Sequence, residues 1–200
     1  MQGQADYKRF AELGRTPLSE TFFMREFLFS DISGFFGRAN VPEIPELAVK
    51  NGVRLCQELL EPLQSKFGRI SVRSGYRSPD LNKFCNENKL GCANNENNAG
   101  AHIWDHPHKK DGYGAMACVA LPWLKERIES GMDWRVFAYW VHLNLPYSQL
   151  ELFGGPLWAF NIGWNENPRK RMRSYIAKDS GLFDPDVENA KIFMRLAMAL

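Results

Sequence analysis

Apolar residues at Val49, Val53, Cys56, Leu60, Leu63 and Phe67 recur at intervals of 4, 3, 4, 3 and 4, which traces one face of a helix. Val41-Pro42-Glu43-Ile44-Pro45 leads into it. Pro62 predicts a kink or an end near Glu61, because proline has no N–H for the ladder and its ring crowds the preceding turn. Gly68 then breaks the pattern, and Arg69-Ile70-Ser71-Val72-Arg73-Ser74 alternates as a half-buried strand does. Upstream, a polar lead over residues 1–20 precedes Thr21 to Ser30, a short helix or docked segment ending in the turn-rich Ser30-Asp31-Ile32-Ser33-Gly34.

From Asn82 to Asn98 the chain is rich in asparagine and poor in large apolar groups, which reads as a long surface loop beside a site. A second loop, Asp105 to Gly114, gives way to the apolar run Ala115 to Leu121, a buried strand, and Pro122 suits the first turn of a helix running to Gly131. In Phe137 to Leu145 the odd positions are all apolar, so the segment is assigned as a strand, with a helix capped by Asp133 as the alternative. Ala159 to Trp164 and Met172 to Ile176 flank the turn-like Asn165-Glu166-Asn167-Pro168 and predict a hairpin. Ile192, Phe193, Leu196 and Leu200 form an apolar stripe on a terminal helix that docks on the domain or on a partner.

Composition narrows the class. The 200 residues, 44% hydrophobic and 24% charged, suffice for one core without metal or disulfide staples. A net charge of +2 supplies no broad field for a nucleic-acid backbone, and Arg169, Lys170, Arg171 and Arg173 read as a solvated hairpin edge. No stretch approaches the roughly 20 apolar residues of a membrane span, and no signal peptide is visible. The expectation is a protein of the cytoplasm when made, without nucleic-acid or membrane partners. Cys56, Cys85, Cys92 and Cys118 form no CxxC pair; Cys85 and Cys92 bracket the asparagine-rich stretch but, without an export signal, are expected reduced.

Three places offer chemistry. Ser74-Gly75-Tyr76-Arg77-Ser78-Pro79 follows a strand, and such a turn presents Arg77 from a rigid frame, suited to a carboxylate. His102, Trp104, Asp105, His106 and His108 bring imidazoles and a carboxylate together in sequence, the usual donors for zinc, though His106 and His108 beside lysines also read as solvated. His142 is either a core histidine or a ligand, and Cys118, within the apolar run, reads as a small buried hydrophobe.

Taken in order, Leu60-Glu61-Pro62-Leu63, Phe67-Gly68, Val72, the Ser74 to Pro79 turn and Leu81-Asn82 resemble the M15 peptidases, the zinc D-Ala-D-Ala carboxypeptidase and peptidoglycan endopeptidase family. The resemblance covers about residues 21–145. It implies an α+β, hedgehog-like peptidase fold, a small antiparallel sheet with helices on one side, in a domain spanning residues 21–178 with a tail helix over 179–200. It also implies zinc held by His102 and His142, the latter in Trp140-Val141-His142, while Arg77, Tyr76 and Trp104 meet the substrate.

The chain departs from the family pattern in two respects. Lys109 stands where the family aspartate is expected, so Asp105 or Cys118 must complete the ligand set. Tyr139 stands where the family's acidic general base is expected, with Asp133 and Glu151 the nearest acids in sequence. The resemblance therefore implies a zinc peptidase of bacterial cell-wall peptide or, as the alternative, a catalytically inactive M15-like virion or wall-binding protein. A looser likeness to phage and prophage M15-like proteins, in Leu145-Pro146-Tyr147-Ser148 and Ala159 to Trp164, adds virion proteins as partners and a phage particle or release at lysis as destinations.

Overall fold

The computed structural model describes residues 2–183 and 190–200. Helices α1 (Gln2–Gly14), α2 (Met24–Leu28) and α3 (Asp31–Phe36) come first; Ser30 opens α3 by accepting from Ser33 N. The lead contributes Leu18, 1% exposed, to the core. The long helical pattern is realised as α4 (Pro45–Leu55), a π-turn (Cys56–Leu60) and α5 (Glu61–Phe67). The helix does not stop at Pro62. The wider turn absorbs the ring, with Glu61 N–H reaching back five residues to Cys56 O, and the chain continues to Phe67.

Six strands follow: β1 (Ser71–Ser74), β2 (Gly114–Ala120), β3 (Gln149–Gly154), β4 (Ala159–Asn165), β5 (Arg171–Ser174) and β6 (Gly181–Phe183). They make one sheet in the order β1-β2-β4-β3-β5-β6. The molecule is α+β as expected, but the sheet is mixed rather than antiparallel: β3 and β5 run parallel, Gln149 opposite Arg171 and Glu151 opposite Arg173. The expected hairpin is accordingly absent. β4 pairs with β2 and β3, and β5 passes to the far side of β3. β6 extends the sheet into the segment read as a tail, of which residues 184–189 lie outside the described residues.

Between the strands lie α6 (Pro79–Glu87), α7 (Asn95–Asn98), α8 (Pro122–Glu129) and α9 (Trp134–Asn144), with α10 (Ala190–Ala197) last. The asparagine-rich stretch is thus partly helical, because Ser78 accepts from Leu81 N and Pro79 pre-sets the first turn of α6. Cys85 and Cys92 are disulfide-bonded, with Cα atoms 5.6 Å apart, against the expectation of free thiols. The end of α6 returns the chain on itself and brings the two sulfurs together.

The segment 137–145 is helix, not strand. Asp133 caps α9 by accepting from Arg135 N at 2.9 Å, and every residue from Val136 to Val141 is buried. A helix covered on several sides is apolar all round, and its odd positions alone then mimic a strand. One side of α9 meets the sheet through Phe137 and Phe160, with ring centroids 5.1 Å apart. Another carries α10, where Phe193 stacks on Tyr139 at 5.9 Å.

The core fills the space between these helices and one face of the sheet, formed by Ala115, Ala117 and Val119 on β2, Phe160 and Ile162 on β4, and Leu150 and Leu152 on β3. Helix α4 and the π-turn pack on this side as well. The alternate residues turn to the opposite face and form the floor of a groove. No helix among the described residues is long and apolar enough to cross a membrane.

Candidate functional site

The groove has a volume of about 540 Å³. Met116, Asn161, Gln149, Glu151, Arg171 and Arg173 rise from its floor, and the turn after β1 supplies Arg77. One register row crosses the sheet as Cys118, Asn161, Glu151 and Arg173. Asn161 Nδ2 donates to Glu151 Oε2 at 2.9 Å.

The turn that carries Arg77 is fixed from three sides. Asn40 Nδ2 donates to Leu28 O and Tyr76 O, and Asn40 Oδ1 accepts from Ser78 N at 2.8 Å. Gly75 lies so close to Phe27 that a Cβ there would sit 2.7 Å from that residue's Cβ. Arg77 N–H donates to His102 O at 2.8 Å. The Arg77 side chain lies half-buried in the groove, where Nη1 donates to Asn82 Oδ1 at 3.1 Å. Asn82 is fully buried and is itself held: its Oδ1 accepts from Asn98 Nδ2, and its Nδ2 donates to Ala93 O and Asn95 Oδ1. Burial lowers the pKa of the Arg77 guanidinium from the usual arginine value. Among the described residues it makes no ion pair with a carboxylate.

His102 lines the same groove and is 8% exposed. Its Nδ1 lies 2.8 Å from Gly75 O, which can only accept, so Nδ1 carries the proton and the lone pair is on Nε2. Burial, with Arg77 nearby, pushes its pKa down to about 4, so the ring is neutral at physiological pH. Cys118 lies part-exposed in the Asn161 row; burial first, then Glu151, raises its thiol pKa, while Arg73 opposes.

The other expected site residues lie elsewhere. Asp105 is 1% exposed and serves the fold: Oδ2 accepts from Glu43 N and Ile44 N, and Oδ1 accepts from Tyr76 OH at 3.1 Å. Tyr76 is buried, and its hydroxyl pKa is raised by burial and by Asp105. Trp104 lies in the core, its Nε1 donating to Met116 O at 3.1 Å. His142 is on α9, where its Nδ1 lies 2.9 Å from Tyr147 OH, and it does not line the groove. The strand assignment had set its ring opposite the core residues; as a helix, the segment directs it toward the turn at Tyr147. The structure therefore brings together Arg77 and His102, with Cys118 in the adjoining row, and leaves Tyr76, Trp104, Asp105 and His142 outside. The expected zinc donors do not gather, and among the described residues no three His, Cys, Asp or Glu side chains form a group that could hold a metal ion.

The sequence pattern gives no site role to Asn82 and Asn161, reads Arg171 and Arg173 as a solvated edge and His108 as solvated, and offers Glu151 only as a distant acid. His108 Nδ1 lies 2.9 Å from Asp111, which also pairs with Arg169, and all three line the groove. Alternation within each strand held the remaining signal: Glu151 sits between Leu150 and Leu152, Asn161 between Phe160 and Ile162. The groove's charges are four arginines, at 77, 169, 171 and 173, against Asp111 and Glu151. Arginines thus outnumber carboxylates on its lining, and the neutral His102 imidazole lies beside the Arg77 turn. Comparison with known protein families, curated proteins and solved structures returns no match.

Proposed function

We propose that the groove binds the free carboxylate end of a peptide, with bacterial cell-wall stem peptide as the ligand class, on an M15-like scaffold that works as a binding module rather than as a zinc hydrolase. The observation that carries this reading is the state of Arg77: half-buried, held by Asn82, and without a carboxylate partner among the described residues. A half-buried guanidinium with unspent donors favours a planar, bidentate anion, and each such charge-assisted bond contributes about 1.5–3 kcal/mol. His102 complements it. Its Nε2 lone pair can accept an N–H of the ligand, and the neutral ring adds no repulsion toward the guanidinium.

The non-catalytic alternative is preferred because Asp105 and His142 are engaged away from the groove. Residence in a phage particle or release at lysis, with virion proteins as partners, belongs to the same proposal and rests on the sequence likeness.

Titration calorimetry with a stem pentapeptide ending in D-Ala-D-Ala tests the reading. The free acid is expected to bind at least tenfold more tightly than its C-terminal amide, and Arg77→Gln is expected to remove the difference. Equal affinity for acid and amide overturns carboxylate recognition. Release of D-alanine or muropeptides from purified sacculi, abolished by His102→Ala, overturns the non-catalytic reading.

A further inference from the structure

We infer that the groove has a second anion subsite, on β5, so that its ligand is a peptide carrying an acidic side chain about four residues before its terminal carboxylate. This rests on the reading of Arg77 given above. Arg171 and Arg173 are two apart on one strand and therefore point to the same side, about 7 Å apart along the backbone. That side is the groove, since both line it while Met172 between them is buried. The sequence pattern placed these residues on a solvated hairpin edge. The insertion of β3 between β4 and β5 puts them on the floor instead.

Neither arginine makes an ion pair among the described residues. Arg169, two positions earlier, is already paired with Asp111, so beyond Arg77 the unpaired positive charge of the groove lies at positions 171 and 173. Glu151 is the one carboxylate in register with them, and its Oε2 accepts from Asn161 Nδ2. Because Glu151 repels a second acid near Arg173, an incoming carboxylate must engage Arg171 as well.

The rings of Phe153 and Tyr175 stack at 5.4 Å on the same lining, and the Arg173 guanidinium lies 5.7 Å from the Tyr175 ring. This contact limits the directions in which Arg173 can swing. Distance sets the ligand's length. β1, whose turn carries Arg77, and β5 are four strand spacings apart, about 19 Å between backbones, which the two arginine arms shorten. An extended peptide advancing about 3.4 Å per residue covers the remainder with about four residues.

The test uses the whole chain and the synthetic peptides acetyl-Glu-Ala-Ala-Ala-Ala and acetyl-Gln-Ala-Ala-Ala-Ala, each as free acid and as C-terminal amide, followed by fluorescence anisotropy at two salt concentrations. The glutamate peptide is expected to bind about tenfold more tightly than the glutamine peptide. Arg171→Gln with Arg173→Gln is expected to erase that preference, and Arg127→Gln, on α8 and outside the groove, is expected to keep it. Equal binding of the two acids by the parent chain, or a preference that survives the double substitution, overturns the second subsite. A missing difference between acid and amide, with the glutamate preference intact, overturns only the reading of Arg77. Absence of binding by all four peptides overturns both.

Discussion

Arg77 and His102 fix each other's position through the backbone: the Arg77 N–H donates to the His102 carbonyl, and the His102 ring donates from Nδ1 to the carbonyl of Gly75, each at 2.8 Å. The buried ring therefore belongs to the frame that aims the guanidinium as well as to the wall of the groove, and its protonation disturbs both.

The pH dependence of stability follows from this. In the fold His102 takes its proton only near pH 4, against 6.5 for an ordinary histidine, so between those values the unfolded chain binds more protons. Stability is expected to fall as pH drops from about 6.5 toward 4, by up to about 3 kcal/mol. His102→Asn, whose amide nitrogen takes the place of Nδ1, can keep the bond to Gly75 without titrating. Urea unfolding at pH 7 and pH 4.5 should show a larger loss in the parent chain than in the variant, and equal losses would contradict the burial of the ring.

Gly75→Ala tests the turn itself. The added methyl would meet Phe27 Cβ at 2.7 Å and its Cα at 2.9 Å, and a backbone atom cannot rotate away. A cost of about 2 kcal/mol is expected, corresponding to a drop of roughly 4–8 °C in melting temperature for a chain of this size. Calorimetry reads it directly. Because the displaced turn carries Arg77, peptide affinity should fall in the same variant.

The bond between Cys85 and Cys92 predicts a definite thiol count. Alkylation of the denatured chain without reductant should modify Cys56 and Cys118 only, and all four cysteines after reduction. Mass spectrometry distinguishes the two states. Cys85→Ser with Cys92→Ser opens a short loop and should cost about 2.5 kcal/mol on the chain-entropy account. Since Cys92 lines the groove, the same pair of substitutions should weaken peptide binding.

Asp133→Ala checks why residues 134–144 are helical. It removes the cap on Arg135 N and the side-chain bonds to Arg135, at an expected cost of about 1 kcal/mol. Denaturant unfolding measures it. Asp133→Asn, which can still cap, should recover most of the loss.

The elements that could be read from the sequence are those whose partners lie close in the chain or whose burial is two-sided. The run ending at Leu121 and the helix-opening Pro122 are placed as the pattern predicts, and Arg77 and His102 do meet. The misassignments share a cause: they depended on pairing. Nothing local in Met172 to Ile176 reveals that β5 lies beside β3 in parallel, and only that placement brings Arg173 into register with Glu151. Likewise, the apolar residues of 136–141 face neighbours on several sides, including α10 from the other end of the chain. Asp105 misled through chemistry, because a carboxylate suited to a metal is equally suited to two backbone N–H groups.

The π-turn at Cys56–Leu60 holds one residue more than an α-helical path would need. It acts as a phase adjuster between two half-helices. Excising a single amino acid from the regular turns of α4, with the wide turn kept, would rotate α5 by about 100°, swinging Leu63 and Phe67 out of the interior and Lys66 toward it. A shortened chain could recover by giving up the wide turn, so the apparent irregularity is the slack by which the second half-helix keeps its alignment with the core.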